Sequence, residues 1–273
     1  MPPLNSVTTG AARQYLSKMT TGKHKVRDRI KHLLEGYAPT LFYLIQATKR
    51  RAWLRQRYGS KQNDAARRLF SSGTISVLSG PFNGMLYIND LVWGPIQPKW
   101  IGSYEYQLHD PLAKILTKAY STIIDVGAAE GYYAVGLAWK LPNARVYSYD
   151  VDPWARAQQR RLAKLNGVRN LTVLGKCSTK ELKSIISDHA LIVCDVEGGE
   201  YELLDPKLVN KLGMCDILVE IHSWKNLSIP SVAAVIASRF ENTHPFTSIY
   251  LTIPLPVVQN STCVSTDYLK LRL

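Results

Sequence analysis

Several features that would identify the chain quickly are missing from it. Its four cysteines, Cys177, Cys194, Cys215 and Cys263, form no CxxC pair, so no paired-cysteine zinc or redox motif is present. The expectation is a reduced, cytoplasmic protein with structural thiols. The N-terminal MPPLNSVTTGAARQYL has no charged-then-apolar leader pattern, and no run reaches the ~18 apolar residues needed to cross a bilayer. No internal repeat or low-complexity segment is present, and the ordinary globular composition argues against disorder or a fibre for most of the chain. Acids are scarce at one end only. Up to Phe70 there are 15 Lys and Arg against 3 acids, whereas the remainder holds 19 against 18. Nearly all of the net charge of +13 therefore sits in the first quarter of the chain.

That first quarter, residues 1–70, reads as helical. In ARQYLSKM, VRDRIKHLLEGYA and LFYLIQATKRRAWLRQRYG, apolar positions recur at three- and four-residue spacing among cations. Residues 71–102 change texture to short β-type runs, TISVLSG, GMLYIN and LVWG, separated by Gly, Pro and Asn, which predicts a small β hairpin or meander acting as a connector or lid. From residue 103 to the end, apolar strands alternate with amphipathic helices, and PFTSIYLTI and DYLKLRL follow each other with no helix between. The pattern predicts an α/β fold: a Rossmann-like, doubly wound, mostly parallel sheet with an antiparallel terminal strand pair, preceded by the helical segment and the β connector.

Chemistry concentrates first at STIIDVGAAEGYYAVGLA, where an apolar strand runs through Asp125 into Gly127, Ala128, Ala129 and Gly131 and then into a helix opened by Tyr132. Small residues at a strand-to-helix turn let a ligand approach the backbone. The dinucleotide fingerprint GxGxxG is not met, because GAAEG lacks the second glycine. Asp125 would moreover face a pyrophosphate with like charge. S-adenosylmethionine, which carries an ammonium and a sulfonium, suits the same carboxylate. Asp150, 19 positions beyond Gly131 at the end of VYSYD and followed by Val151, stands where a ribose-binding acid is expected.

In a parallel sheet, reactive groups gather at the carboxyl ends of strands. DVEGGE and EIHSW should therefore line one crevice with Asp195, Glu197, Glu200, Glu220 and His222. His222 is the first choice as general base, with Glu220 two positions earlier on the same side of the strand, and Glu197 as a further candidate. Asp195, Glu220 and His222 also offer two carboxylates and an imidazole to a divalent ion, a cofactor not favoured here over metal-free transfer. His244, before Pro245, reads as a turn residue. Cys194 lies in an apolar strand with no basic neighbour and is no nucleophile.

The segments DVGAAEGYYAVGLA, VYSYDVDP, CDVEGGEYELL and ILVEIHSW resemble the FkbM-type methyltransferases, over about residues 100 to 225. The resemblance implies a class I S-adenosylmethionine-dependent methyltransferase fold and methyl transfer to oxygen on a saccharide, glycolipid or small natural product. It also implies that Asp195 approaches the cofactor or the substrate and that Tyr104 and Glu105 close over the cofactor. Two alternatives are carried: an RNA methyltransferase that grips nucleic acid with the basic N-terminal segment, and a cofactor-binding protein without catalysis. Against RNA, no DPPY or NPPY segment exists and no aromatic platform interleaves with the cations. The same cations, with LFYLIQ, Trp53 and Tyr58, also fit an element lying on the anionic inner face of a membrane.

Overall fold

The computed structural model describes residues 36–250 and 267–271, with Phe246–Tyr250 and Asp267–Leu271 as backbone. The expected helix at ARQYLSKM, most of the one at VRDRIKHLLEGYA, and Cys263 lie outside the described residues.

A five-stranded parallel sheet forms the centre: β1 (Thr122–Val126), β2 (Arg145–Tyr149), β3 (Leu171–Leu174), β4 (Leu191–Cys194) and β5 (Asp216–Ile221). Their spatial order is β3-β2-β1-β4-β5, so the chain moves outward from β1 to one edge and then returns to the other side. The reversal falls between β1 and β4, the position at which α/β sheets open a ligand crevice. Every residue of TIIDV and LIVC is buried, as continuous apolar runs require of strands covered on both faces. Beyond β5 the backbone of β7 (Asp267–Leu271) pairs antiparallel with it, and β6 (Phe246–Tyr250) pairs antiparallel with β7.

Helices cover both faces. α4 (Tyr132–Lys140) follows β1, and α5 (Pro153–Leu165) follows β2, capped by the Asp152 carboxylate on the Trp154 amide with Pro153 in the first turn. α6 (Thr179–Ile185) follows β3 and starts at a reciprocal Ser178–Glu181 capping box. The expected helix over YELLDPKLVNKL is instead two short pieces, α7 (Glu200–Leu203) and a 3₁₀ turn (Asn210–Met214). Pro206 between them accounts for the break, since it has no amide to donate and restricts the residue before it. α8 (Ile229–Phe240) follows β5.

The segment expected as a small β hairpin or meander is a very short hairpin with a single bridge, Ser76 to Leu86, followed by turns and α2 (Gln97–Ile101). It lies within the main core. Phe82, Met85 and Trp100 are fully buried in the same apolar cluster as Ile123, Val135 and Leu218. Gly136, in the middle of α4, is explained by this packing, because a Cβ there would enter the Phe82 ring. α1 (Pro39–Leu69) extends further than expected and joins the same core through Leu54, with Phe70 just after it. Arg50 pairs with Asp152, and Arg51 stacks 3.7 Å from the Trp154 ring. A short helix, α3 (His109–Leu116), completes the approach to β1. No helix among the described residues is long and apolar enough to cross a membrane.

Candidate functional site

The crevice at the β1/β4 switch point is built first by backbone. After Val126 the chain turns through Gly127 at φ 89° and Ala129 at φ 47° to Gly131 at φ 97°. A Cβ on Gly127 would run into the carbonyl of Asp195, so only glycine fits there. The turn satisfies its own amides: Gly127 and Ala128 donate to the Tyr149 carbonyl, Gly131 to that of Ala128, and Ala129 to Asp150 Oδ2 at 2.9 Å. Asp150 Oδ1 accepts from the Asp152 amide at 2.8 Å. Burial, the largest influence, raises the Asp150 carboxyl to about 6, against the pull of these two amides.

Over the turn lies a pocket lined by Lys99, Tyr104, Glu105, Asp125, Gly127 to Ala129, Tyr132, Tyr133, Asp195 and Glu220, with Leu108, Val193, Cys194 and Leu218 as its apolar wall. Its charge is strongly one-sided. Four carboxylates face one cation, and Lys99 is already paired with buried Glu130, which also accepts from Tyr87 OH. Burial first, and then Asp150, push the Asp125 carboxyl up to about 7, and its Oδ2 is buried without a hydrogen-bond partner. Tyr133 donates to Glu105, whereas the buried hydroxyl of Tyr132 has no partner.

The second group stands at the ends of β4 and β5. His222 Nδ1 lies 2.8 Å from Glu200 Oε1, and its Nε2 lies 3.6 Å from Glu197, 3.8 Å from Asp195 and 3.8 Å from Glu220. Burial disfavours the imidazolium, but the Glu200 hydrogen bond and the surrounding carboxylates outweigh it and hold His222 above its ordinary range. Asp195 is likewise raised, by burial and then by Glu220, with His222 opposing. Glu200 is fully buried and accepts from the Val196 amide at 3.0 Å. The ligand atoms that could converge on an ion are those of Asp195, Glu200 and His222, which lie within 4.8 Å of one another. This differs from the set read from sequence in having Glu200, which lies against His222 Nδ1, in the place of Glu220.

The sequence-derived candidates thus separate into three places. Glu105, Asp125, Gly127, Ala128, Ala129, Tyr132, Asp195 and Glu220 share the pocket. Glu197 and His222 join Asp195 and Glu220 in the cluster beside it. Gly131, Asp150 and Val151 are not among the lining residues; Gly131 caps α4, Asp150 supports the turn, and Val151 is exposed next to it. His244 is remote from the crevice, buried with Nε2 2.7 Å from the Cys215 carbonyl at the opposite end of β5. Burial drives the Cys194 thiol well above its ordinary range, so it is no nucleophile. Sequence reasoning missed Lys99 and Glu130: an acid inside a glycine-rich turn was the available signal, and its cation lies 31 positions upstream. Among the described residues, three of the five non-glycine residues at positive φ, Glu105, Ala129 and Glu197, border the crevice, where backbone strain commonly collects.

No family model and no curated protein matches the chain. Solved structures overlap with it weakly. A precorrin-6y C5,15-methyltransferase from Geobacter metallireducens is 14% identical with a TM-score of 0.44, covering 60% of this chain and 87% of the other. An rRNA methylase from Streptococcus thermophilus is 15% identical with a TM-score of 0.41, covering 61% and 97%. The O-methyltransferase TomG from Streptomyces achromogenes is 12% identical with a TM-score of 0.41, covering 63% and 81%. At this level of overlap, function has to be argued from the site itself.

Proposed function

We propose that the chain is an S-adenosylmethionine-dependent methyltransferase acting on a hydroxyl group. The observation that carries this reading is the charge of the pocket above the glycine turn. Glu105, Asp125, Asp195 and Glu220 face it, its one cation is neutralised by Glu130, and the amides of Gly127, Ala128, Ala129 and Gly131 are engaged internally. A nest for pyrophosphate needs free amides and a positive field. Here both are reversed, and an ammonium and a sulfonium suit the pocket. Asp125, buried with one oxygen unpartnered, is the natural partner of a cation. Asp150 keeps lone pairs available for ribose hydroxyls beyond its two backbone bonds.

In the reaction, the acceptor oxygen attacks the methyl carbon in line and a C–O bond forms. The C–S bond breaks with its electron pair remaining on sulfur, leaving the neutral thioether. The hydroxyl proton passes to the group formed by Asp195, Glu220 and His222, whose carboxylates crowd one imidazole. The resemblance to FkbM-type enzymes favours a saccharide, glycolipid or small natural product as acceptor. RNA is the second reading, favoured by the exposed cations Lys49, Arg55, Arg57, Lys61 and Arg68 on α1, whereas Arg50 and Arg51 are engaged internally on Asp152 and Trp154.

Calorimetry decides the donor. Binding of S-adenosylmethionine with a dissociation constant below about 100 µM, and no binding of NAD, is the expected result. A folded protein that takes up no S-adenosylmethionine at about 1 mM overturns the reading. Methyl-labelled donor offered to glycan, lipid and RNA fractions then selects the acceptor.

A further inference from the structure

We propose that the ends of β4 and β5 hold one divalent first-row transition ion, ligated by Asp195, Glu200 and His222. Three elements deliver these side chains: Asp195 follows β4, Glu200 begins α7 and His222 follows β5. Their ligand atoms lie within 4.8 Å of one another, and the 2.8 Å between His222 Nδ1 and Glu200 Oε1 is close to the separation of neighbouring ligands on one ion. Asp195 closes the remaining distance by rotating a side chain that is 44% exposed.

A separate observation points to a cation. Glu200 is fully buried, yet its Oε2 has no hydrogen-bond partner. A buried carboxyl oxygen without a partner is costly unless a ligand meets it. Local charge compounds the need. Among the described residues, the only cationic group paired with Asp195, Glu197 or Glu200 is His222, and one imidazole offers at most a single positive charge to three acids. At Nε2 the Asp195 and Glu197 oxygens stand at 3.8 and 3.6 Å, beyond hydrogen-bond reach of the ring.

Imidazole with two carboxylates suits Mn²⁺, Fe²⁺ or Zn²⁺ better than Ca²⁺, and three protein ligands leave positions open for water or an acceptor oxygen. Asp195 also lines the donor pocket, so an oxygen held by the ion would stand next to the transferred methyl group. Only this task rests on the methyl-transfer reading; the binding of the ion does not.

The test is titration of metal-free full-length protein with Mn²⁺, reading free Mn²⁺ by electron paramagnetic resonance, with circular dichroism to certify folding. The expected result is one site per chain, weakened at least about tenfold in Asp195→Asn and in His222→Asn, and unchanged in Glu202→Gln, whose carboxylate is exposed. Asp195→Asn keeps the test valid should the His222 variant fail to fold. No saturable uptake at about 1 mM, or equal uptake by wild type and Asp195→Asn, overturns the proposal. Donor titrations run in EDTA keep the two readings apart. Intact donor binding without Mn²⁺ uptake sinks the ion alone, and Mn²⁺ uptake without donor binding sinks the donor alone.

Discussion

The turn from Asp125 to Gly131 and the cluster from Asp195 to His222 sit side by side at the carboxyl ends of the strands and are built on opposite principles. In the turn, backbone amides find fixed acceptors at 2.8 to 3.0 Å, and Gly127 packs against the Asp195 backbone with no room for a methyl group. In the cluster, side chains stand around one imidazole at distances that are mostly too long for hydrogen bonds. The first is ordered by the chain itself before any ligand arrives. The second is held by charge, and its order depends on what neutralises it. On the proposed reading, a donor of fixed shape is matched by the rigid region, while an acceptor that must be aligned and deprotonated is matched by the adjustable one.

The strongest way to break this comparison is Gly127→Ala. It combines a clash with the Asp195 carbonyl and a positive φ, and should cost about 4 kcal/mol or more. Thermal denaturation should show a loss of roughly 10 °C or greater, together with loss of donor binding. A melting temperature within about 2 °C of wild type would mean that the turn is not rigid.

Asp125→Asn sharpens the comparison through pH. The folded-state carboxyl is raised to about 7, chiefly by burial. In the unfolded chain it titrates near the ordinary value of about 4. Between these values the native state binds the extra proton, so stability declines as pH rises through the window, by at most about 4 kcal/mol, and then levels off. The Asn variant should therefore be more stable than wild type at pH 8 and nearly equal to it at pH 4, while binding the donor about tenfold or more weakly at pH 8. A cationic donor favours the ionised form, so wild-type affinity should climb through pH 7. Calorimetry at pH 6 and pH 8 checks this, and a flat profile removes Asp125 from the donor contact.

The smallest stability effect is expected in the cluster. Asp195→Asn removes one of several like charges from a partly exposed position. Its melting temperature should stay within about 2 °C of wild type, while methyl transfer falls at least about tenfold. A drop comparable with that of Gly127→Ala would show that the cluster, too, is ordered by the fold.

Periodicity alone was enough to read the five parallel strands, because TIIDV and LIVC are continuous apolar runs and the helices between them are amphipathic with explicit caps at Asp152 and Ser178. In residues 71–102 the expected hairpin is present only as the Ser76–Leu86 bridge, because residues of strand composition there send their hydrogen bonds mainly to turns and their side chains to the core. The α7 region was misjudged because its apolar spacing outweighed Pro206.

At the crevice, Asp125, Gly127 and Asp195 were legible as strand-end residues, and the structure brings all three to one pocket. Sequence by itself determined the strand order's local units, the glycine turn and the acids at the strand ends, since each depends on residues within a few positions of one another. Tertiary structure alone decided that Lys99 is matched to Glu130, that Glu200 rather than Glu220 holds His222 Nδ1, and that the basic α1 spends Arg50 on Asp152. Those pairings join elements 22 to 102 residues apart, and charge selects partners by distance in space, which local patterning does not encode.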